Sequence, residues 1–210
     1  MTTPARKTPA DLVRGPEPRQ DRSARTRALV LRKAAEVFAE RGYRETSVKD
    51  VAELTGMTKG AVYHHFPSKE ALAVALVEEH YARWPKILED VSGQGLTPLE
   101  TALEVMNRVV DAFGNDSVTL AGARLQNERA SINVQLPVPY VGWIEVMTGL
   151  FEEAERAGEL REGMVPEHLA RLIVSAFFGT QHVSATLTDR ADLQERWREL
   201  RELFVYAVRR

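Results

Sequence analysis

The residues best suited to chemistry lie in one short stretch, Thr46 to Lys69, which reads TSVKDVAELTGMTKGAVYHHFPSK. Thr58, Lys59, Tyr63 and His64 offer a hydroxyl, an ammonium, a phenol and an imidazole within seven positions. Such groups hydrogen-bond to phosphate oxygens and base edges, and Lys59 adds the charge that holds a polyanion. Gly60 and Ala61 stand among them. Small residues weaken an ordinary surface helix but let its backbone come close to base edges in a groove. Ser68 and Lys69 open the next segment, where free backbone amides and an ammonium suit a phosphate.

Positioning these groups takes two short helices and a sharp turn. Ser47 and Asp50 have the spacing of a capping box, so a helix is expected to start at Val48, with Ser47 also available to DNA. Val48, Val51 and Ala52 fall at i, i+3, i+4 and form its buried stripe. Gly56 stops it, because glycine enters the left-handed backbone region at little cost. In the second helix Val62 and Phe66 share one face, which leaves Lys59 with Tyr63, and Gly60 with His64, on the other. This is the layout of a helix-turn-helix whose second helix enters a major groove. A plain core hairpin accounts for the apolar spacing, but not for glycine, tyrosine and histidine gathered beside a lysine.

At these residues the sequence resembles a known family. TKGAVYHHFPSKEAL is similar to the signature of the TetR family of bacterial one-component transcription repressors. The resemblance implies an all-α fold: a three-helix reading head, here residues 25–69, and a helical ligand-binding and dimerisation body, residues 70–210. EEHYARWP at 78–85, GARLQNERA at 122–130 and LPVPYVGW at 136–143 extend it. They resemble the γ-butyrolactone-type autoregulator receptors, most closely those of the methylenomycin furan type. By that resemblance Tyr81, Gln126 and Tyr140 match positions that contact a small furan carboxylic acid, and Trp143 matches a tryptophan walling the pocket. Two phenols, an amide and an indole suit a small, mostly apolar effector with one polar end, since none buries a net charge. Met106, Val110, Phe113 and Phe178 are added as pocket-lining candidates. His182 is expected in the core or an interface, with a place in the pocket lining as the alternative.

The rest of the chain fits this frame. Of its 210 residues, 44% are hydrophobic, enough for a sizeable core. Zero cysteines exclude disulfides and thiolate metal sites, and no apolar run approaches the length that spans a bilayer. A cytoplasmic protein with no membrane partner is expected. The net charge of −2 conceals an asymmetry: residues 1–69 hold 14 Lys+Arg against 8 Asp+Glu, while residues 70–210 hold 14 against 22. A basic head attracts phosphate and an acidic body limits non-specific adhesion.

Residues 1–24, with Pro4, Pro9, Pro16 and Pro18, read as a flexible basic arm. Arg14, Arg19 and Arg22 either enter a minor groove or belong to an idle leader. A helix is expected from Ser23, with Val30, Ala34, Val37 and Phe38 inward and Gly42 at its end. Another runs from Ser68 to Trp84-Pro85, where proline breaks or kinks it. Further helices carry a stripe from Leu99 to Phe113 and span Val118 to Arg129. The last two start at Pro166 and near Leu193, and no strand is expected. Apolar surface and the small residues Ala176, Gly179 and Ala185 on the final two helices predict a homodimer through them.

Catalysis is disfavoured. The histidines lack metal-ligand spacing, and neither a phosphate-binding glycine loop nor a nucleophile elbow occurs, so no metal, cofactor or catalytic residue is expected. Among regulators, the alternative is a drug-sensing repressor of an efflux pump, which would favour acidic residues in its pocket. The sequence specifies neither the operator and its number of dimers nor which of furan, butyrolactone or butenolide is the effector.

Overall fold

The computed structural model describes residues 19–210. The arm residues up to 18, Arg14 among them, lie outside it. Helix α1 (Arg19–Glu45) begins before Ser23, so Arg19 and Arg22 belong to a helix rather than to an extended arm. Its first three turns are almost wholly exposed, and the buried face starts at Val30. At Gly42 the helix kinks, with φ 78° and ψ −175°.

Three short helices follow, each fixed by a local cap. In α2 (Val48–Thr55) the capping box of Ser47 and Asp50 is formed at the start, and Gly56 closes the end in the left-handed region at φ 66°. Helix α3 (Lys59–His65) is capped by Thr58 and α4 (Lys69–Ala82) by Ser68, whose side chains accept from the amides of Ala61 and Ala71. The break at Trp84-Pro85 falls where proline requires it. Helix α5 (Trp84–Ser92) starts there with Pro85 in its first turn, where a missing amide costs nothing.

The remaining helices are α6 (Pro98–Asn115), α7 (Ser117–Asn127), α8 (Val141–Arg156), α9 (Pro166–Thr188) and α10 (Leu193–Val208). One 3-10 turn, Arg129–Ser131, follows α7. Extended pairing among the described residues is an isolated bridge between Leu160 and Arg209, so the fold is all-α as expected.

Two apolar cores fill the molecule. The first joins α1, α2, α3 and α4 to one face of α7, through Val118, Ala121 and Leu125. The second lies among α5, α6, α8, α9 and α10 around Met106, Phe113, Phe151 and Phe177. Leu120 and Ala123 turn the other face of α7 toward this second core. Helix α7 is thus the shared wall, and its contact with α1 is the most extensive between any two helices.

On α9 and α10 large apolar side chains remain uncovered. Leu172 and Leu187 are 57% and 68% exposed, and Leu203 and Tyr206 are 70% and 78% exposed. Gly179 lies on the same helix as the first pair, and a Cβ there would meet open space.

Candidate nucleic-acid interface and effector cavity

The second helix of the turn motif presents the face that its spacing predicts. Val62 and Phe66 are buried, while Thr58, Lys59, Gly60, Tyr63 and His64 are exposed and Ala61 half-buried. A Cβ at Gly60 would find only Thr58 Oγ1, at 4.0 Å. Nothing among the described residues therefore demands glycine at a helical position where it costs up to about 1 kcal/mol against alanine. The opposite side is held by Arg27, whose guanidinium lies 4.8 Å over the Phe66 ring.

Two of the expected DNA contacts carry structural duties as well. Ser47 Oγ is occupied by Asp50, accepting from its amide and donating to its carboxylate. Lys69 Nζ lies 4.1 Å over the Tyr43 ring and donates to the Arg44 carbonyl at 3.4 Å. Burial pushes its ammonium pKa down, against the pull of Glu70 and Glu128. Lys69 is therefore folded onto the end of α1. Arg22 is exposed on α1.

Away from this face two adjoining cavities open beside α4. One, of about 300 Å³, is apolar: Trp84, Leu88, Val105, Val138, Trp143 and Val146 line it with Tyr81, Pro137 and Gly142. The other, of about 350 Å³, is the more polar of the two, with His80, Gln126, Asn127, Tyr140, Gln181 and His182 beside Phe178. Tyr81 belongs to both. Its hydroxyl accepts from Gln126 Nε2 at 3.1 Å, and the same nitrogen donates to the Pro137 carbonyl at 2.9 Å. Gln126 Oε1 is buried without a partner, which leaves a hydrogen-bond acceptor at the wall between the cavities. Burial is the main force raising the Tyr81 phenol pKa, so it stays neutral and free to donate.

Aromatic contacts set the rest of the wall. The Trp84 and Trp143 rings lie 4.9 Å apart and those of Tyr140 and Phe178 4.6 Å apart. Tyr140 holds φ 69° at the N-terminal cap of α8, a left-handed conformation rare for a tyrosine. His80 is 4% exposed and sits between Tyr81 and Trp84, with ring centroids at 5.0 and 4.9 Å. Burial, aided by Arg83 and opposed by Asp116, pushes its imidazole pKa down to about 4.

The eight expected effector residues are thus divided. Tyr81, Gln126, Tyr140 and Phe178 meet at the polar cavity and Trp143 walls the apolar one. Met106, Val110 and Phe113 line neither: they are at most 1% exposed, inside the second core. Val105, rotated about 100° from Met106, is packed in the same core but also lines the apolar cavity. His182, expected first in the core or an interface and second at the pocket, is exposed and lines the polar cavity. Sequence reasoning missed Trp84 and His80 as lining residues, although both stand in the EEHYARWP stretch beside Tyr81.

Residues 30–76 match the family described as bacterial regulatory proteins, tetR family. A solved structure described as the molecular basis for control of antibiotic production by bacterial hormones is 58% identical. The match covers 89% of this chain and 98% of that one, with a TM-score of 0.85. The chain belongs to the TetR family. Among curated relatives it is similar to the A-factor receptor protein of Streptomyces griseus, 30% identical over 186 residues. That match takes in 87% of this chain, which spans 64% of the receptor's length. Another TetR-family structure, CprB from S. coelicolor A3(2), is 27% identical with a TM-score of 0.80, covering 90% of this chain and 91% of that one. No helix among the described residues is long and apolar enough to cross a membrane. No group of His, Asp or Glu among them is arranged to hold a metal ion.

Proposed function

We propose that this TetR-family chain is a cytoplasmic, homodimeric transcriptional repressor, released from a palindromic operator by a small autoregulator and controlling secondary-metabolite genes. The observation that carries the reading is the meeting of two surfaces on one helix. Helix α4 starts at Lys69, beside the exposed face of α3, and carries Tyr81 into both cavities. The two residues are twelve positions apart, or about 18 Å along the axis.

The division of labour follows from chemistry. Residues 25–69 form the reading head, with Lys59, Tyr63 and His64 toward bases or phosphates, and Arg22 just before it beside the flanking backbone. Residues 70–210 form the sensor. The uncovered faces of α9 and α10 bury each other in a symmetric dimer, which presents two heads to half-sites about 34 Å apart. An effector seated against Tyr81, Gln126, Tyr140 and Trp143 changes the tilt of α4, and a shift of a few ångströms in each head ends simultaneous docking.

The lining favours an acidic or neutral effector with an apolar body. No carboxylate lines either cavity, so a cationic drug would find no counter-charge, whereas phenols and amides suit a furan acid, lactone or butenolide. The similarity to an A-factor receptor and to a structure on hormone control of antibiotic production supports the same class over an efflux sensor. Palindromic DNA recovered by the protein from a random pool, then challenged with alkyl furan carboxylic acids, γ-butyrolactones and butenolides, tests the reading. Release by one class at micromolar concentration is expected. No selected palindrome, or release by none of them, refutes it.

A further inference from the structure

Among charged groups outside both candidate surfaces, Arg124 stands on the last turn of α7 and Glu128 at its C-terminal cap, at i, i+4, and neither lines a cavity. Arg124 Nη1 donates to the carbonyls of Ala39 at 3.0 Å and Glu40 at 2.8 Å. These belong to the last turn of α1 before its kink at Gly42. Arg124 Nε also donates to Glu128 Oε1 at 3.1 Å, and Glu128 Oε2 accepts the Tyr43 amide at 2.7 Å. Beneath this pair lies Gly42. A Cβ there would stand 2.2 Å from Glu128 Oε1 and 2.8 Å from Arg124 Nε, so any side chain at 42 would displace the pair. The backbone, at φ 78°, itself favours glycine at 42.

Gln126 stands between the two on the opposite side of the same turn, where it holds Tyr81 and Pro137. One helical turn therefore grips the end of α1 with one face and the cavity wall with the other.

We propose that Arg124 and Glu128 are positioning residues that set the reading head for operator binding, and that effector occupancy at Gln126 reaches the head through them. The proposal rests on the repressor reading above. An effector that takes hydrogen bonds from Tyr81 or Gln126 competes with the bond between them, and so moves the end of α7 against Pro137. Since Arg124 and Glu128 are fixed to that end and bonded to backbone atoms of residues 39, 40 and 43, the start of α2 moves with it. The head is then steered from two sides, by α4 and by α7.

The test uses the full-length dimer, a palindrome selected by the wild type, and an alkyl furan carboxylic acid as probe. The measured quantity is the ratio of the probe's dissociation constants with and without bound operator. Allosteric couplings of this kind are commonly about 5- to 150-fold. Arg124→Ala and Glu128→Ala should bind the probe within about twofold of wild type when DNA is absent, yet narrow the ratio by at least about threefold. Glu128→Gln keeps an acceptor for the Tyr43 amide and should restore most of it. Hydrogen exchange at residues 39–46 should quicken in both alanine variants while α6 stays protected, a readout that needs neither probe nor DNA. Should either alanine variant unfold, Arg124→Lys gives the answer, since one ammonium cannot span both carbonyls and Glu128. An unchanged ratio, or unchanged exchange at 39–46, in folded variants overturns the clasp while wild-type operator binding and release stand. A wild type that neither binds nor releases overturns the repressor reading and the clasp with it.

Discussion

Acidification should weaken this protein before its carboxylates titrate, and His80 is the reason. The imidazole is 4% exposed, and its folded pKa of about 4 stands below the ordinary 6.5. The neutral ring is therefore the native form. The unfolded chain takes up a proton near pH 6.5 and the folded one resists until about pH 4, so stability is full above 6.5 and declines as pH falls through that window. The gap of about 2.5 units corresponds to roughly 3 kcal/mol per subunit once both states are protonated, and to about 2 kcal/mol between pH 7 and pH 5. Arg83 deepens the effect and Asp116 opposes it, while Tyr81 and Trp84 supply uncharged ring contacts. Urea unfolding at fixed protein concentration, at pH 7 and pH 5, measures the loss. His80→Asn, which keeps a polar atom near ring Nδ1 but has no proton to gain, isolates it. The wild type should lose about 2 kcal/mol per subunit more than the variant over that interval. Asp50 and Glu70 also have lowered pKa values, and Asp192 lies at about 2, but these act at lower pH and equally in both proteins. Parallel pH dependence in wild type and His80→Asn would refute the reasoning.

Other consequences are simpler to score. Tyr63→Ala and Lys59→Ala should retain wild-type circular dichroism yet lose operator affinity, and Lys59→Ala should also flatten the salt slope by about one unit. Gel shifts at three salt concentrations check both, and unchanged affinities would remove α3 as the reading element. Tyr81→Phe deletes the hydroxyl that receives Gln126, so operator binding should persist while release needs about fivefold more effector, for a bond worth about 1 kcal/mol. Release at the wild-type concentration would leave only the ring in the switch. Leu187→Glu with Leu203→Glu should give monomers in sedimentation, and a persistent dimer would move the interface off α9 and α10.

What the sequence revealed depended on how local the physics was. Ser47, Asp50, Gly56 and Pro85 act on backbone atoms within four residues, so caps, turn and break could be read directly and stand where expected. The cavity could not be read that way. Met106, Val110 and Phe113 form the strongest stripe of α6, and a strong stripe marks the face toward the core, whereas Val105 beside it also reaches the cavity. Lys69 was legible as a cation at a helix start, but its rotation onto Tyr43 depends on a residue 26 positions earlier. Arg19 and Arg22 were read as an arm because the first turns of α1 carry no buried face to produce a period. Arg124 and Glu128 read as an ordinary i, i+4 surface pair until the fold brings Gly42 beneath them.

The left-handed Tyr140 sets tolerance to heat against responsiveness. A non-glycine residue at φ 69° stores about 1 kcal/mol or more, held there by its surroundings. Tyr140→Gly would release that strain, and a laboratory selection for thermostability would favour it. The same change removes the ring lying against Phe178, and with it one side of the polar cavity. On the repressor reading, a biosensor evolved from this chain for robustness alone would lose response through this position while still folding and holding its operator.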